Sequence, residues 1–324
     1  MQVEPTSEPV RALLDRLIDY AGLFPPASLD FDTSVRYFGQ YLTGIDRWML
    51  RSFVCPVSRL PDLTKYAYLF ESCGGVRISV LGPPATTEAA WRSDCTGTLQ
   101  TADAFNRSMA GLATADTFEL KLPAAVAETK ASLERNLEHL VDGALDRNTA
   151  EYFVELVPAA RDPRTSAQVV SDLRQRHGDL HLGLKIRTGG VTPDAVPAAR
   201  DVARFVCECR DHHVPFKATA GLHHPLYHFS ADVGTDMHGF LNVFVGAIVA
   251  SRHNLSPDRL TELLVTSSPP EIDSAGDGLL FKGHNVSIED IKQTRDKLAV
   301  SFGSCSFDDP RNDLLGLGLV RLTP

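Results

Sequence analysis

One pattern limits what this chain can fold into more than any other. A short β-branched or apolar run, a turn and a helical stretch recur along its 324 residues. The runs lie at 18–24, 48–56, 77–82, 117–123, 152–158, 180–187, 214–220 and 299–304. Most are followed by Gly or Pro, where a strand should stop. Helical stretches fall between them, among others at 60–70, 131–146, 166–177 and 195–212. In the second of these, apolar residues at 133, 137, 140, 141, 144 and 145 form an amphipathic stripe. Eight strands alternating with helices predict an α/β protein, a (β/α)8 TIM barrel, as a single domain over 1–324. A doubly wound open sheet is the competing topology, and the strand count favours the barrel. The spacing breaks once, at 222–298, where helices are expected near 240–253, 257–265 and 287–297. That stretch reads as a helical insertion over 223–298 between strands 7 and 8, acting as a lid or a homo-oligomer contact.

Charge and apolar patterning remove several function classes. There are 32 Lys plus Arg against 41 Asp plus Glu, a formal charge of −9, and no basic block offsets it. A nucleic-acid partner is therefore not expected. The longest apolar stretch, 239–250, is broken by Asn242 and is shorter than the roughly 18 residues that a membrane span needs. It reads as a buried helix, and no membrane partner is expected. Six cysteines are scattered with no CxxC pair, and the first ten residues carry no apolar signal-peptide core. A reducing cytoplasm is the expected location.

Charged residues inside apolar strands are the informative ones, because a buried charge is costly unless paired. Glu119 and Lys121 share one face of strand 4, Glu155 sits in strand 5, and Lys185 and Arg187 in strand 6. Lys217 sits in strand 7, with His223 and His224 close behind it. The plain structural reading is a salt-bridge lattice in which Glu119 and Glu155 balance Lys121, Lys185 and Arg187. Two lysines on adjacent strands suggest more. Like charges held close disfavour protonation, so one amine is expected to be driven toward its neutral, nucleophilic form. A neutral amine can attack a carbonyl to form a Schiff base, with nearby carboxylates shuttling protons.

Several segments resemble the 2-deoxyribose-5-phosphate aldolase family, class I aldolases on a (β/α)8 barrel. Leu-Ile-Asp-Tyr-Ala-Gly-Leu-Phe-Pro-Pro at 17–26 is similar to that family's first strand, with Asp19 at its acidic position. Phe-Val-Cys-Pro at 53–56, followed by Leu60 and Pro61, is similar to the second strand and its loop. Glu119, four residues before Pro123, falls where the family keeps a proton-relay aspartate. Lys185-Ile-Arg-Thr-Gly resembles the Schiff-base motif Lys-Thr-Ser-Thr-Gly, and Lys217-Ala-Thr-Ala-Gly the second lysine motif, Lys-Ala-Ser-Gly-Gly. Phe302-Gly-Ser-Cys-Ser resembles the final strand, where Gly-Thr-Ser helps to hold a substrate phosphate. The resemblance implies a Schiff-base lyase acting on a small carbonyl substrate. Lys185 would be the nucleophile, Lys217 its pKa partner, and Glu119 and Asp19 the proton-transfer groups. Arg187 would anchor an anionic substrate group. Lys121, Glu155, Thr188, Gly189, Gly221, His223, His224, Gly303 and Ser304 would line the substrate site. No cofactor and no resident metal is expected on this reading. The chain departs from the family where Arg187 replaces a small hydroxyl residue and where Gly221 runs into Leu222 and His-His-Pro. These changes argue against deoxyribose phosphate itself.

Two other functions fit the same residues. Glu155 with His223 or His224 and His238 could form a hydrolase or isomerase metal site at the strand ends. Against that, no organised ligand spacing is present, and histidines at a barrel mouth commonly bind substrate or face solvent. Thr188-Gly189-Gly190, Ala220-Gly221 and Gly303-Ser304 could cradle an anion with backbone amides, or simply end strands. Cys305 reads as a buried thiol rather than a nucleophile. The remaining class is a barrel that binds a ligand without catalysis.

Overall fold

The period-two alternation of the strand runs is what the structure realises. A computed structural model describes residues 2–144, 149–156, 162–178, 180–273 and 276–323. Eight parallel strands close into a barrel: β1 (Ile18–Tyr20), β2 (Leu50–Pro56), β3 (Val76–Leu81) and β4 (Ala113–Lys121), then β5 (Glu151–Glu155), β6 (His181–Arg187), β7 (Phe216–Thr219) and β8 (Ala299–Ser304). Each strand pairs with the next in sequence, and β8 closes on β1 through Phe302–Ser304 against Ile18–Tyr20. Every predicted strand is present, although 157 and 158 of the predicted fifth run lie outside the described residues. The (β/α)8 barrel is the fold.

Helices wrap the outside and bury one stripe each. Lys130–Ala144 buries Leu133, Leu137, Leu140, Val141 and Ala144, the stripe read from the sequence as far as it is described. Pro163–Arg176 and Ala199–Asp211 follow the predicted stretches closely. The segment predicted as a helix over 60–70 forms one helical turn, Leu60–Leu63, followed by a tighter turn over Thr64–Leu69. Glu88–Met109 is 22 residues long, and its buried face includes Cys95 and Thr98 among Trp91, Leu99, Phe105 and Met109. Those two small polar side chains blur the apolar stripe on which a sequence reading depends.

The stretch 223–298 is mixed rather than purely helical. Phe240–His253, Pro257–Leu264 and Ile288–Lys297 are helices as expected. Two small antiparallel sheets accompany them, His228–Ser230 against Thr235–Met237, and Glu271–Ile272, Gly278–Phe281 and His284–Ser287. The reason is turn chemistry. Lys282 and Gly283 both take positive φ, 50° and 83°, which is the geometry of a tight two-residue hairpin turn. A lysine in the first turn position hides that signal. Phe240–His253 also packs on the barrel wall: Phe240 stacks on Phe302 at 5.0 Å, and Phe244 lies 5.8 Å from Phe302 and 6.2 Å from Phe216. Among the described residues no helix is long and apolar enough to cross a membrane.

One glycine makes room for the barrel's contents. A Cβ on Gly183 of β6 would lie 2.5 Å from the Pro215 carbonyl oxygen and 2.8 Å from the Phe153 ring. One of these neighbours is backbone and the other a ring buried in the barrel wall. Gly183→Ala is expected to destabilise the protein by about 1–3 kcal/mol. The urea midpoint should fall with the slope unchanged.

Candidate active site

Strand register brings the charged residues together. Lys185 and Lys217 are direct partners across β6 and β7, Glu155 is the partner of Lys185 across β5 and β6, and Ser301 is the partner of Lys217 across β7 and β8. Lysine stems are long enough to carry both amines across the barrel interior. There they meet a single carboxylate. Glu119 accepts from Lys185 Nζ at 2.6 Å through Oε2 and from Lys217 Nζ at 2.6 Å through Oε1. Lys185 also reaches Glu155 Oε2 at 2.8 Å, and Lys217 reaches Asp19 Oδ2 at 2.9 Å. Arg187 ends the series, 3.5 Å from Glu155 Oε1. None of Asp19, Glu119, Glu155, Lys185 and Lys217 is more than 3% exposed. Ions at that depth persist only when each is paired, and here charge alternates from Asp19 through to Arg187.

Three buried serines complete the hydrogen bonding. Ser79 donates to Glu119 Oε1 at 2.7 Å, Ser301 donates to Asp19 Oδ2 at 2.5 Å, and Ser52 donates to Asp19 Oδ1. The sequence reading passed over all three. Their signal was a small hydroxyl at an inward position of an apolar strand, as in Arg-Ile-Ser-Val-Leu and Ala-Val-Ser-Phe-Gly. The series continues toward the opposite end of the barrel. Arg51 donates to Ser301 Oγ at 3.2 Å and pairs with Glu151 at 2.5 Å, and Arg77 pairs with Glu151 at 2.5 Å and Asp116 at 2.7 Å.

The electrostatics run opposite to one expectation. Burial alone would lower the pKa of Lys185, but the Glu119 and Glu155 carboxylates overturn that and hold it above the ordinary lysine range. Burial would raise Glu119, and the two ammonium groups instead hold it well below the carboxylate range. Glu155 is likewise lowered, burial being outweighed by Lys185 and Arg187. The expected depression of Lys185 by Lys217 is therefore not seen. A carboxylate sits between the two amines and replaces repulsion with attraction.

The other predicted site residues divide. Thr188 is buried and donates its hydroxyl to the Thr219 and Ala220 carbonyls at 3.1 and 2.7 Å, tying the ends of β6 and β7 together. Gly189 and Gly221 meet so closely that a Cβ on Gly189 would lie 2.8 Å from the Gly221 Cα, and Gly221 takes a φ of +78°. Ser304 is buried and donates to the Ser306 carbonyl at 2.6 Å, and Gly303 pairs with Asp19 and Thr219 in the barrel. Lys121 is exposed and has no ion pair among the described residues. His223 lies with a ring nitrogen 3.7 Å from Cys305 Sγ, whose thiol is pushed up by burial. His224 pairs with Asp313 at 2.6 Å, and His238 contacts the Pro197 carbonyl at 2.8 Å. Glu155 is committed to Lys185 and Arg187, so the histidines and Glu155 do not converge. Among the described residues no group of three potential ligands is arranged to hold a metal ion.

The fold and this buried ionic series define the protein as a (β/α)8 barrel with paired lysines inside. No protein-family profile matches the chain, and no curated protein is similar to it.

Removing Glu119 would leave two buried ammonium groups without their shared anion. Glu119→Gln is expected to cost about 3–5 kcal/mol at neutral pH, measured by chemical denaturation. The pH dependence follows from the directions of the shifts. Glu119 and Glu155 are lowered, so their stabilisation is present above the ordinary carboxylate range near ~4.3 and lost as pH falls through it. Lys185 is raised, so its contribution holds below its ordinary value of ~10.4 and is lost as pH rises beyond it. The melting temperature should be flat between about pH 5 and pH 10 on account of these groups, and the acid fall should be shallower in Glu119→Gln.

Proposed function

We propose that this protein is a Schiff-base-forming lyase of the class I aldolase type, acting on a small carbonyl substrate. One observation carries the reading: two buried lysines in register on adjacent strands share one carboxylate, each amine 2.6 Å from it. Three anions and three cations balance along the series, and the shared carboxylate links the two amines directly. Two amines on one carboxylate, with Asp19 and Glu155 on their far sides, also form a short path for proton exchange.

Chemistry on this path begins with Lys185 protonated. Its proton passes to Glu119 Oε2, and the neutral amine adds to the substrate carbonyl carbon. A C–N bond forms and the carbonyl oxygen takes a proton, giving a carbinolamine. That hydroxyl leaves as water after a second proton transfer, and a protonated Schiff base remains. The iminium then accepts the electron pair of the adjacent C–C bond as a carboxylate takes the proton from the leaving fragment's hydroxyl. An aldehyde departs and an enamine stays on Lys185. Lys217 keeps the charge near Glu119 balanced while protons move, and Asp19, tied to Lys217, is a second acceptor. Arg187, 38% exposed at its side chain, is placed to hold a carboxylate or phosphate of the substrate.

A specific observation favours a second reading, a barrel that binds a ligand without catalysis. Lys185 lies between two carboxylates that hold it cationic, which is also what a purely structural lysine would show.

Borohydride reduction in the presence of aldehydes and 2-oxo acids separates the two. The lyase reading expects a reduced adduct on Lys185 by peptide mass mapping, none in Lys185→Met, and trapping slowed about 10²–10⁴-fold in Glu119→Gln. Absence of any adduct on Lys185 or Lys217 across the panel would sink it and leave the binding barrel.

A further inference from the structure

The end of the barrel opposite the β6 and β7 termini holds a cavity of about 1130 Å³. Its wall comes from the N-terminal ends of the strands and the helix ends beside them, including Glu151, His181, Pro215 and Leu298. Six cationic side chains line it: Arg16, Arg77, Arg174, Arg210, Arg252 and Lys297. Four carboxylates do so too, Asp116, Glu151, Asp290 and Asp296, so the lining carries a surplus of two positive charges in a chain whose overall charge is −9.

Where those carboxylates are committed decides what is left. Arg77 takes Asp116 and, with Arg51, Glu151. Asp290 caps its own helix by accepting from the Ser287 amide at 2.9 Å and lies 3.5 Å from Arg252. Only Asp296 is uncommitted among the described residues. Against it stand three cations with no carboxylate. Arg16 and Lys297 are exposed, and their side chains have no hydrogen bond or ion pair among the described residues. Arg174 meets only the Leu180 and Leu182 carbonyls, both through one nitrogen. Behind them, in an adjoining recess that shares Arg16, Arg77, Glu151 and Asp296, lies Arg295. Arg295 donates only to backbone carbonyls, among them Leu13 at 2.9 Å and Asp15 at 3.1 Å. Burial and the nearby charge of Arg51 lower its pKa to about 9. Arg16 is lowered too, by desolvation and by Arg77 and Arg51, with Asp15 and Glu151 acting the other way.

We propose that this N-terminal mouth is a binding site for a phosphate-bearing anion of nucleotide size. In the cavity itself three cations lack a carboxylate and one carboxylate is free, so a single carboxylate ligand would still leave a cation unmatched. A polyvalent phosphate answers several at once, and guanidinium groups suit its oxygens geometrically. The cavity volume is that of a cofactor-sized ligand rather than a lone phosphate ion. The site is at the other end of the barrel from Lys185 and does not depend on what Lys185 does.

Calorimetric titration of the full chain at low ionic strength tests this, with inorganic phosphate, pyrophosphate, ATP and citrate as probes. Pyrophosphate and ATP should bind at one site per chain and more tightly than phosphate or citrate. Arg16→Ala and Lys297→Ala remove exposed groups with no partners, so both variants should melt as the parent does without ligand. Each should weaken pyrophosphate and ATP about tenfold or more. No binding by any probe, equal affinity for citrate and pyrophosphate, or an affinity unchanged in both variants would overturn the proposal.

Discussion

Glu119 is the group on which the interior of this barrel depends. A carboxylate taken out of water is costly, and so is each ammonium beside it. Together they form a unit in which neither amine faces an uncompensated neighbour: Lys185 and Lys217 each reach Glu119 at 2.6 Å. Asp19 and Glu155 extend the alternation on either side; Ser52 satisfies the Asp19 oxygen that Lys217 leaves over, and Ser79 and Ser301 donate to the oxygens that Lys217 also meets. A barrel core is ordinarily filled by layers of branched aliphatic side chains. Here much of the axis is filled by ions and hydroxyls, while the aliphatic and aromatic mass lies between the strands and the surrounding helices.

That arrangement costs some stability. A hydrophobic core of the same volume would hold the barrel at least as firmly. An ionic series instead fixes the amines and carboxylates in place through paired contacts. Thr188 and the contact of Gly189 with Gly221 bind the ends of β6 and β7 to each other, so the two lysine-bearing strands move as one.

Much of this was legible in the sequence. Glu119, Glu155, Lys185, Arg187 and Lys217 stood out as charges in apolar strands, and Asp19 entered through the family resemblance; Lys121 stood out in the same way but faces solvent. The strand runs were legible from their apolar composition and because most ended at or just before Gly or Pro. The sign of the coupling between the lysines was not. Adjacency of Lys185 and Lys217 follows from strand order, but the insertion of Glu119 between their amines depends on the stagger of the closed barrel, which pairs Glu119 with Leu81 and Phe153. The dispersal of His223, His224 and His238 to Cys305, Asp313 and Pro197 likewise depends on loop paths that no periodicity encodes. The hairpin of Gly278–Phe281 with His284–Ser287 was hidden because its turn begins with Lys282.

Phe153 has a position that matters beyond packing. Its ring lies 5.5 Å from Lys217 Nζ and also lines the arginine-rich cavity at the barrel's other end. Gly183 leaves the space that the ring fills. A single aromatic side chain is thus part of a common wall between two charged compartments. Such a ring is too thin to screen a field between the two sides. The two ends of the barrel are sterically separate rooms that share one electrostatic climate.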